Sequence, residues 1–220
     1  MLLAVDINQP AAAKTSEVIS LTGAYFGDKL ITSDSYVACI THKKVFKEEL
    51  LLNYSTLSLL SIFGDAEKVH YVISNDKICF YDNDSVVVGN VMPQVKDFPG
   101  KEIAMFLEFQ FDGNCKISKS ELLGALDRLS IFITPFDKNI IELHFTKDNK
   151  LVLKSLNGGA IEVISIKSNI ESICKTAFDS LKNQVSTTQE ETITIKFGNE
   201  KAIAIEDSQA THIISLAEVS

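Results

Sequence analysis

The sequence predicts an α+β protein of two similar domains, each built from helix-plus-three-strand units with the helices on one face of antiparallel sheets. Three observations predict it. Apolar stripes at helical spacing follow Ser-x-x-Glu start signals. Each stripe leads into three short runs of alternating apolar and polar residues, parted by turn residues. The order of helix and then three strands recurs, an internal repeat with little sequence identity.

From the N-terminus, "EVISLTGAYF", "KLITS" and "YVACITH" read as the first three strands. The preceding "LLAVDINQPAAAK" is short and broken by Pro10, so no helix is expected before Val18. On that reading the first unit is reduced, or the chain begins inside a longer parent. "STLSLLSIF" reads as a short helix with Ser55 as its cap. "KVHYVISN", "KICFYDN" and "SVVVGNVM" are the next three strands. Pro99 and Gly100 interrupt the pattern in "VKDFPGKEIAMFLEF". Domains are expected over 1–104, with its first helix missing or reduced, and 105–220.

"CKISKSELLGALDRLSIFI", Cys115 to Ile133, opens the second domain as a helix. Ser118 and Glu121 form the capping box, and Leu122, Leu126, Leu129 and Ile133 make one stripe. Gly124, Asp127 and Arg128, the only arginine in the chain, point away from it. "NIIELHF", "LVLKSL" and "IEVISI" follow as strands, turned by "KDNK" and "NGGA". A second box, Ser168 and Glu171, is expected to start a helix with the stripe Ile170, Ile173, Ala177 and Leu181, leaving Lys175 and Lys182 on its far side. "ETITIKF", "KAIAIED" and "THIISLA" are the last three strands.

Composition narrows the function. A hydrophobic fraction of 45% supplies a sizeable core, and a net charge of −8 gives no general attraction to nucleic acid. A local basic stripe is compatible with that total, because charge position dominates at close range. Cys39, Cys79, Cys115 and Cys174 are widely spaced, which fits core residues in a reducing compartment and no disulfide or zinc framework. No apolar run reaches the ~18 residues of a membrane span and no signal peptide is recognisable, so a cytoplasmic protein is expected.

The residues offer no enzyme. His42, His70, His144 and His212 are scattered without metal-ligand spacing, so neither metal nor cofactor is expected. There is no nucleophile elbow, P-loop or dinucleotide-binding glycine pattern. "LNGGA" is a turn into a strand, not a phosphate loop. Nothing positions Glu142 or Asp148 as an acid–base pair.

Several segments resemble bacterial DNA polymerase III beta clamps. "VKDFPGKEI" is similar to their interdomain FP segment, and "CKISKSELLGALDRLSIFI" to the first helix of their last domain. "KNIIELHFTKDNKLVLKSLNGGAIEVISI" and "EDSQATHIISLAEV" resemble strands of that domain, and "LITSDSYVACI" resembles a "TDGHRLA" segment that has lost its glycine and arginine. The resemblance covers roughly 18–219 and matches the middle and last bacterial domains. A two-domain chain is similar to viral and eukaryotic clamps, which close as trimers.

The resemblance implies a sliding clamp, of phage type, that encircles duplex DNA and tethers polymerase. It implies a homotrimeric ring, no catalysis, and sequence-independent phosphate contacts from Lys116, Lys119, Arg128, Lys175 and Lys182. It also implies an apolar pocket for polymerase and clamp-loader peptides at Ser33, Ser35, Tyr36, Val37, Phe98, Pro99, Ile213, Ile214 and Leu216. The contrasting reading is a clamp-like viral interaction protein that modulates the host replisome in the host cytoplasm without encircling DNA.

Overall fold

The chain opens with a helix, α1, over Leu2–Asn8. This corrects the expectation that Pro10 leaves no helix before Val18. Pro10 lies in the 3-10 turn Gln9–Ala11 that follows, near its first residue, where a missing N–H costs nothing. Val5 and Ile7 of α1 are buried. The computed structural model describes residues 2–64, 68–133, 139–168 and 170–217. Glu218 and Val219, the last residues of "EDSQATHIISLAEV", lie outside them. Two units, 1–107 and 108–220, partition the chain.

In the first unit, β1 (Gly23–Phe26), β2 (Leu30–Ser33) and β3 (Val37–Thr41) follow α1. Only the end of "EVISLTGAYF" is a strand, because Ile19–Thr22 close into a 3-10 turn. A fourth strand, β4 (Leu50–Asn53), was not expected. It leads directly into helix α2 (Tyr54–Leu59), whose cap is Asn53, not Ser55: the Asn53 carboxamide accepts from Thr56 N at 2.8 Å. Next come β5 (His70–Ser74), β6 (Lys77–Tyr81) and β7 (Val86–Asn90). The short helix α3 (Gly100–Ala104) ends the unit.

Strands β4-β1-β2-β3 and β5-β6-β7 form antiparallel arrays in those orders. Their inward residues meet in one core. Phe26, Phe46, Leu57, Leu60, Ile78 and Phe80 are all almost fully buried there, with Phe46 edge-on to Phe26. Burial of that size stabilises by roughly 1.5–3 kcal/mol per side chain.

The second unit is regular. It runs β8 (Gly113–Ser118), α4 (Lys119–Ser130), β9 (Ile140–Thr146), β10 (Lys150–Ser155) and β11 (Ile161–Ser165). The order then repeats as β12 (Ser172–Ala177), α5 (Phe178–Thr187), β13 (Thr192–Phe197), β14 (Ala202–Glu206) and β15 (Ala210–Ser215). The repeated unit is therefore strand, helix and three strands.

Each half lends its leading strand to the other half's sheet. β12 joins β11-β10-β9, and β8 joins β15-β14-β13. The two sheets meet through Phe145 of β9 and Phe197 of β13, stacked at 3.7 Å between ring centroids and fully buried.

The second helix is the main displacement from expectation. Ser168 and Glu171 do not start it, and Ile173, Lys175 and Ala177 belong to strand β12. Register explains this. Ser172–Ala177 pairs residue for residue with Ile140–Phe145 of β9, satisfying backbone groups that an isolated helix would satisfy locally.

Candidate nucleic-acid interface

The start of α4 is fixed by more than its own sequence. Ser118 Oγ accepts from Glu121 N at 3.1 Å, as a capping residue should. The Glu191 carboxylate, from the run into β13, then accepts from Ser118 Oγ at 2.6 Å and from Ser120 N at 3.1 Å. The Ser118 and Ser120 hydroxyls hold the Glu191 carboxyl below its usual range. Lys119 contributes its N–H to Glu191 O and its ammonium to Thr188 O at 2.6 Å.

Beyond the cap, Leu122, Ala125, Leu126 and Leu129 are buried under α4. Ile133, expected in the stripe, lies past the helix end at Ser130. On α5 the buried positions are Phe178, Leu181, Gln184 and Val185. The two helices are neighbours, and α4 also packs on β8, β10 and β11.

Their polar sides meet in an ion pair. Lys182 Nζ on α5 is 2.8 Å from Asp127 Oδ1 on α4, and lies 5.8 Å above the Phe178 ring. Arg128 Nε and Nη2 donate to the two oxygens of Glu162 on β11, at 3.0 and 2.8 Å. That fork raises the Arg128 pKa, and the guanidinium holds the Glu162 carboxyl below its usual range. Asp179 accepts from Asn139 Nδ2 at 3.3 Å. The two helices thus carry three cations, Lys119, Arg128 and Lys182, against three carboxylates, Glu121, Asp127 and Asp179. In the first unit, α1 and α2 carry a single charged residue, Asp6, and no cation.

The remaining two expected DNA contacts stand elsewhere. Lys116 is exposed on β8 beside Thr194, while its neighbours Cys115 and Ile117 are buried. Lys175 pairs with Glu142 on the solvent side of β12, opposite to buried Cys174 and Thr176. Glu142 also binds Lys154 Nζ at 3.1 Å. Alternation along a strand puts both lysines on the face turned from the buried side chains.

The expected peptide-pocket residues fall into two groups. In the first unit, Ser33–Val37 form a tight turn: Asp34 Oδ1 accepts from Tyr36 N and Val37 N, and Ser33 Oγ donates to Val37 O. Ser35 sits at φ 80, where the resembled segment has glycine. Tyr36 is 74% exposed, whereas Ser33 and Val37 are buried. Phe98 stacks flat on Tyr25 at 5.2 Å, and both line a cavity of about 480 Å³ with Glu49, Lys96, Pro99 and Lys101. Tyr25 and Glu49 were not among the expected residues. In the second unit, Ile213 and Ile214 are buried in β15, and Leu216 N donates to Lys201 O.

No protein-family model matches the sequence, and no curated protein is recognisably similar to it in sequence. Solved structures are another matter. A putative DNA polymerase III beta subunit from Eubacterium rectale superposes with a TM-score of 0.84 at 20% identity, over 98% of this chain and 62% of that one. The DNA polymerase sliding clamp of Pseudomonas aeruginosa gives 0.85 at 12% identity, over 99% and 64%. That of Bacillus subtilis gives 0.81 at 15%, over 100% and 62%.

The fold is that of the DNA sliding clamps. The chain spans less than two thirds of the length of these clamp structures. Among its described residues no three His, Cys, Asp or Glu side chains gather as a metal site, and no helix is long and apolar enough to cross a membrane.

Proposed function

We propose that this clamp-fold chain is a processivity factor: it encircles duplex DNA and tethers a DNA polymerase, with no catalysis of its own. The observation that carries the reading is the pairing of α4 and α5. Both turn apolar stripes inward and bring Arg128 and Lys182 onto one polar surface of a clamp fold. A phosphate-facing surface of this kind reads no base sequence. Lys119 belongs to the same surface. Lys116 and Lys175, on the outward sides of strands, make at most indirect contributions.

A ring needs several copies of a two-unit chain, and a homotrimer is the closed form we infer. Strands β7 and β11 are sheet edges, and both carry exposed aliphatic residues: Val86 and Val88 on one, Ile161 and Val163 on the other. Pairing β7 of one copy with β11 of the next would satisfy both edges head-to-tail. In this reading the Tyr36 turn and the Phe98 region receive apolar peptides of a polymerase and a clamp loader, in the cytoplasm of the cell or of a viral host.

Native mass measurement at micromolar concentration, followed by retention on circular against linearised DNA, tests the proposal. A trimer retained on circles and lost from linear ends is the expected result. A strict monomer with equal retention on both would remove it.

A further inference from the structure

The sole arginine of the chain is engaged by a carboxylate in the very fork it would offer to phosphate. Glu162 takes Arg128 Nε and Nη2 at 3.0 and 2.8 Å, and Asp127 takes Lys182 Nζ at 2.8 Å. These two cations are also the pair that α4 and α5 bring together.

Both pairs are reachable by water: Arg128 is 61% exposed at its side chain and Asp127 63%. Exposed pairs of this kind add little to stability. Their positions are better explained by what they do to the charge of the helix surface, where each carboxylate cancels the cation that it holds.

We propose that Glu162 and Asp127 are phosphate surrogates: they occupy Arg128 and Lys182 in competition with the DNA backbone and so keep the clamp's hold on DNA weak. The proposal rests on the reading that this surface faces DNA, and deepens it. A cation that is neutralised when free gains less by meeting a phosphate. Counterions released from DNA are then offset by the carboxylate left behind. The same device limits friction. A moving ring exchanges each phosphate contact for an internal one of the same chemistry.

The test uses the full chain and a labelled duplex of mixed sequence, with binding followed by fluorescence anisotropy across a salt series from about 50 mM. Glu162→Gln and Asp127→Asn each free one cation. Each should tighten binding roughly tenfold at the low-salt end, and steepen the slope of log affinity against log salt by about 0.9. The charge-matched variants Glu121→Gln and Asp179→Asn, on the same two helices, should gain clearly less. Adding Arg128→Ala and Lys182→Ala to the double surrogate variant should abolish the gain. Thermal melting checks that all variants fold.

An equal gain from the control pair, or a gain that survives loss of both cations, overturns the proposal in favour of a simple net-charge effect. Unchanged binding in Glu162→Gln and Asp127→Asn also overturns it, and leaves the processivity reading standing if Arg128→Ala with Lys182→Ala still weakens binding. If neither set of changes alters binding, the helix surface does not meet DNA and the wider reading falls with it.

Discussion

His212 Nδ1 on β15 lies 2.9 Å from Gln184 Oε1 on α5, and both side chains are almost completely buried. The ring donates through Nδ1, and its Nε2 has no hydrogen-bond partner among the described residues. The pair joins the second helix of the unit to its last strand.

Burial pushes the His212 pKa down to about 4 from an ordinary 6.5, against a small opposing pull from Asp207. The unfolded chain accepts a proton near pH 6.5, while the folded one resists until about pH 4. Stability from this group is therefore complete above pH 6.5 and is lost as pH falls through that window, by about 3 kcal/mol. Melting temperatures from pH 7 to 4 should fall more steeply for the native chain than for a folded His212→Gln variant. Parallel pH profiles would refute the assignment.

Gly124 sits inside α4, and a Cβ there would meet only Arg128 Nη1, at an ordinary contact of 3.5 Å. Glycine in a helix interior costs about 1 kcal/mol relative to alanine. Gly124→Ala should raise stability by about that amount in denaturant titration. A loss would show that the helix surface is tighter than this geometry allows.

Ser35 takes φ 80 in the turn between β2 and β3. A β-branched residue is strongly disfavoured there. Ser35→Val should destabilise by roughly 1–2 kcal/mol, and Ser35→Gly should be neutral or stabilising. The difference in urea midpoint between the two variants is the measurement. Equal midpoints would mean that the turn adopts another conformation.

Phe145 and Phe197 carry the contact between the two sheets of the second unit. Truncating either to alanine should cost about 3–5 kcal/mol. The double variant should cost less than the sum, since each ring loses the same neighbour. Additive losses would show that the stack contributes nothing beyond burial.

The hairpins and the α4 cap were legible because they are local. Ser118, Glu121 and the leucine stripe state a helix within one short segment, and "NIIELHF" alternates cleanly. The start of α5 was not legible, because its N-cap, Ala177, offers no side-chain acceptor. In its place Phe178 N donates to Asn139 O at 2.6 Å, a partner far along the chain. "ESICKTA" fits a helical stripe and an alternating strand equally, and only its pairing with β9 decides. The unexpected β4, β8 and β12 are of the same kind: strands specified by their neighbours, so that Cys115–Ser118, expected within the helix, pairs with β13 instead. At the candidate site, sequence periodicity placed Arg128 off the stripe of α4. The stripe from which Lys182 was read is mostly strand β12, and Lys182 lies off the buried positions of α5 for a different reason, the helix that starts at Phe178. Periodicity could not place Glu162, which reaches Arg128 from another element.

The exchange of leading strands has a consequence for how the second unit folds. β8 meets β13 across some seventy residues of chain, since Thr192 lies opposite Ser118, and closing that loop is entropically costly unless α4 through α5 fold with it. Glu191, beside that strand, completes the cap of α4 in the same event. Neither half is then a stable intermediate on its own. Such non-local pairing slows folding and ties it to a single cooperative transition. A cut in the 166–171 connection would leave two pieces that survive only together, as a non-covalent complex in which each supplies the other's missing strand.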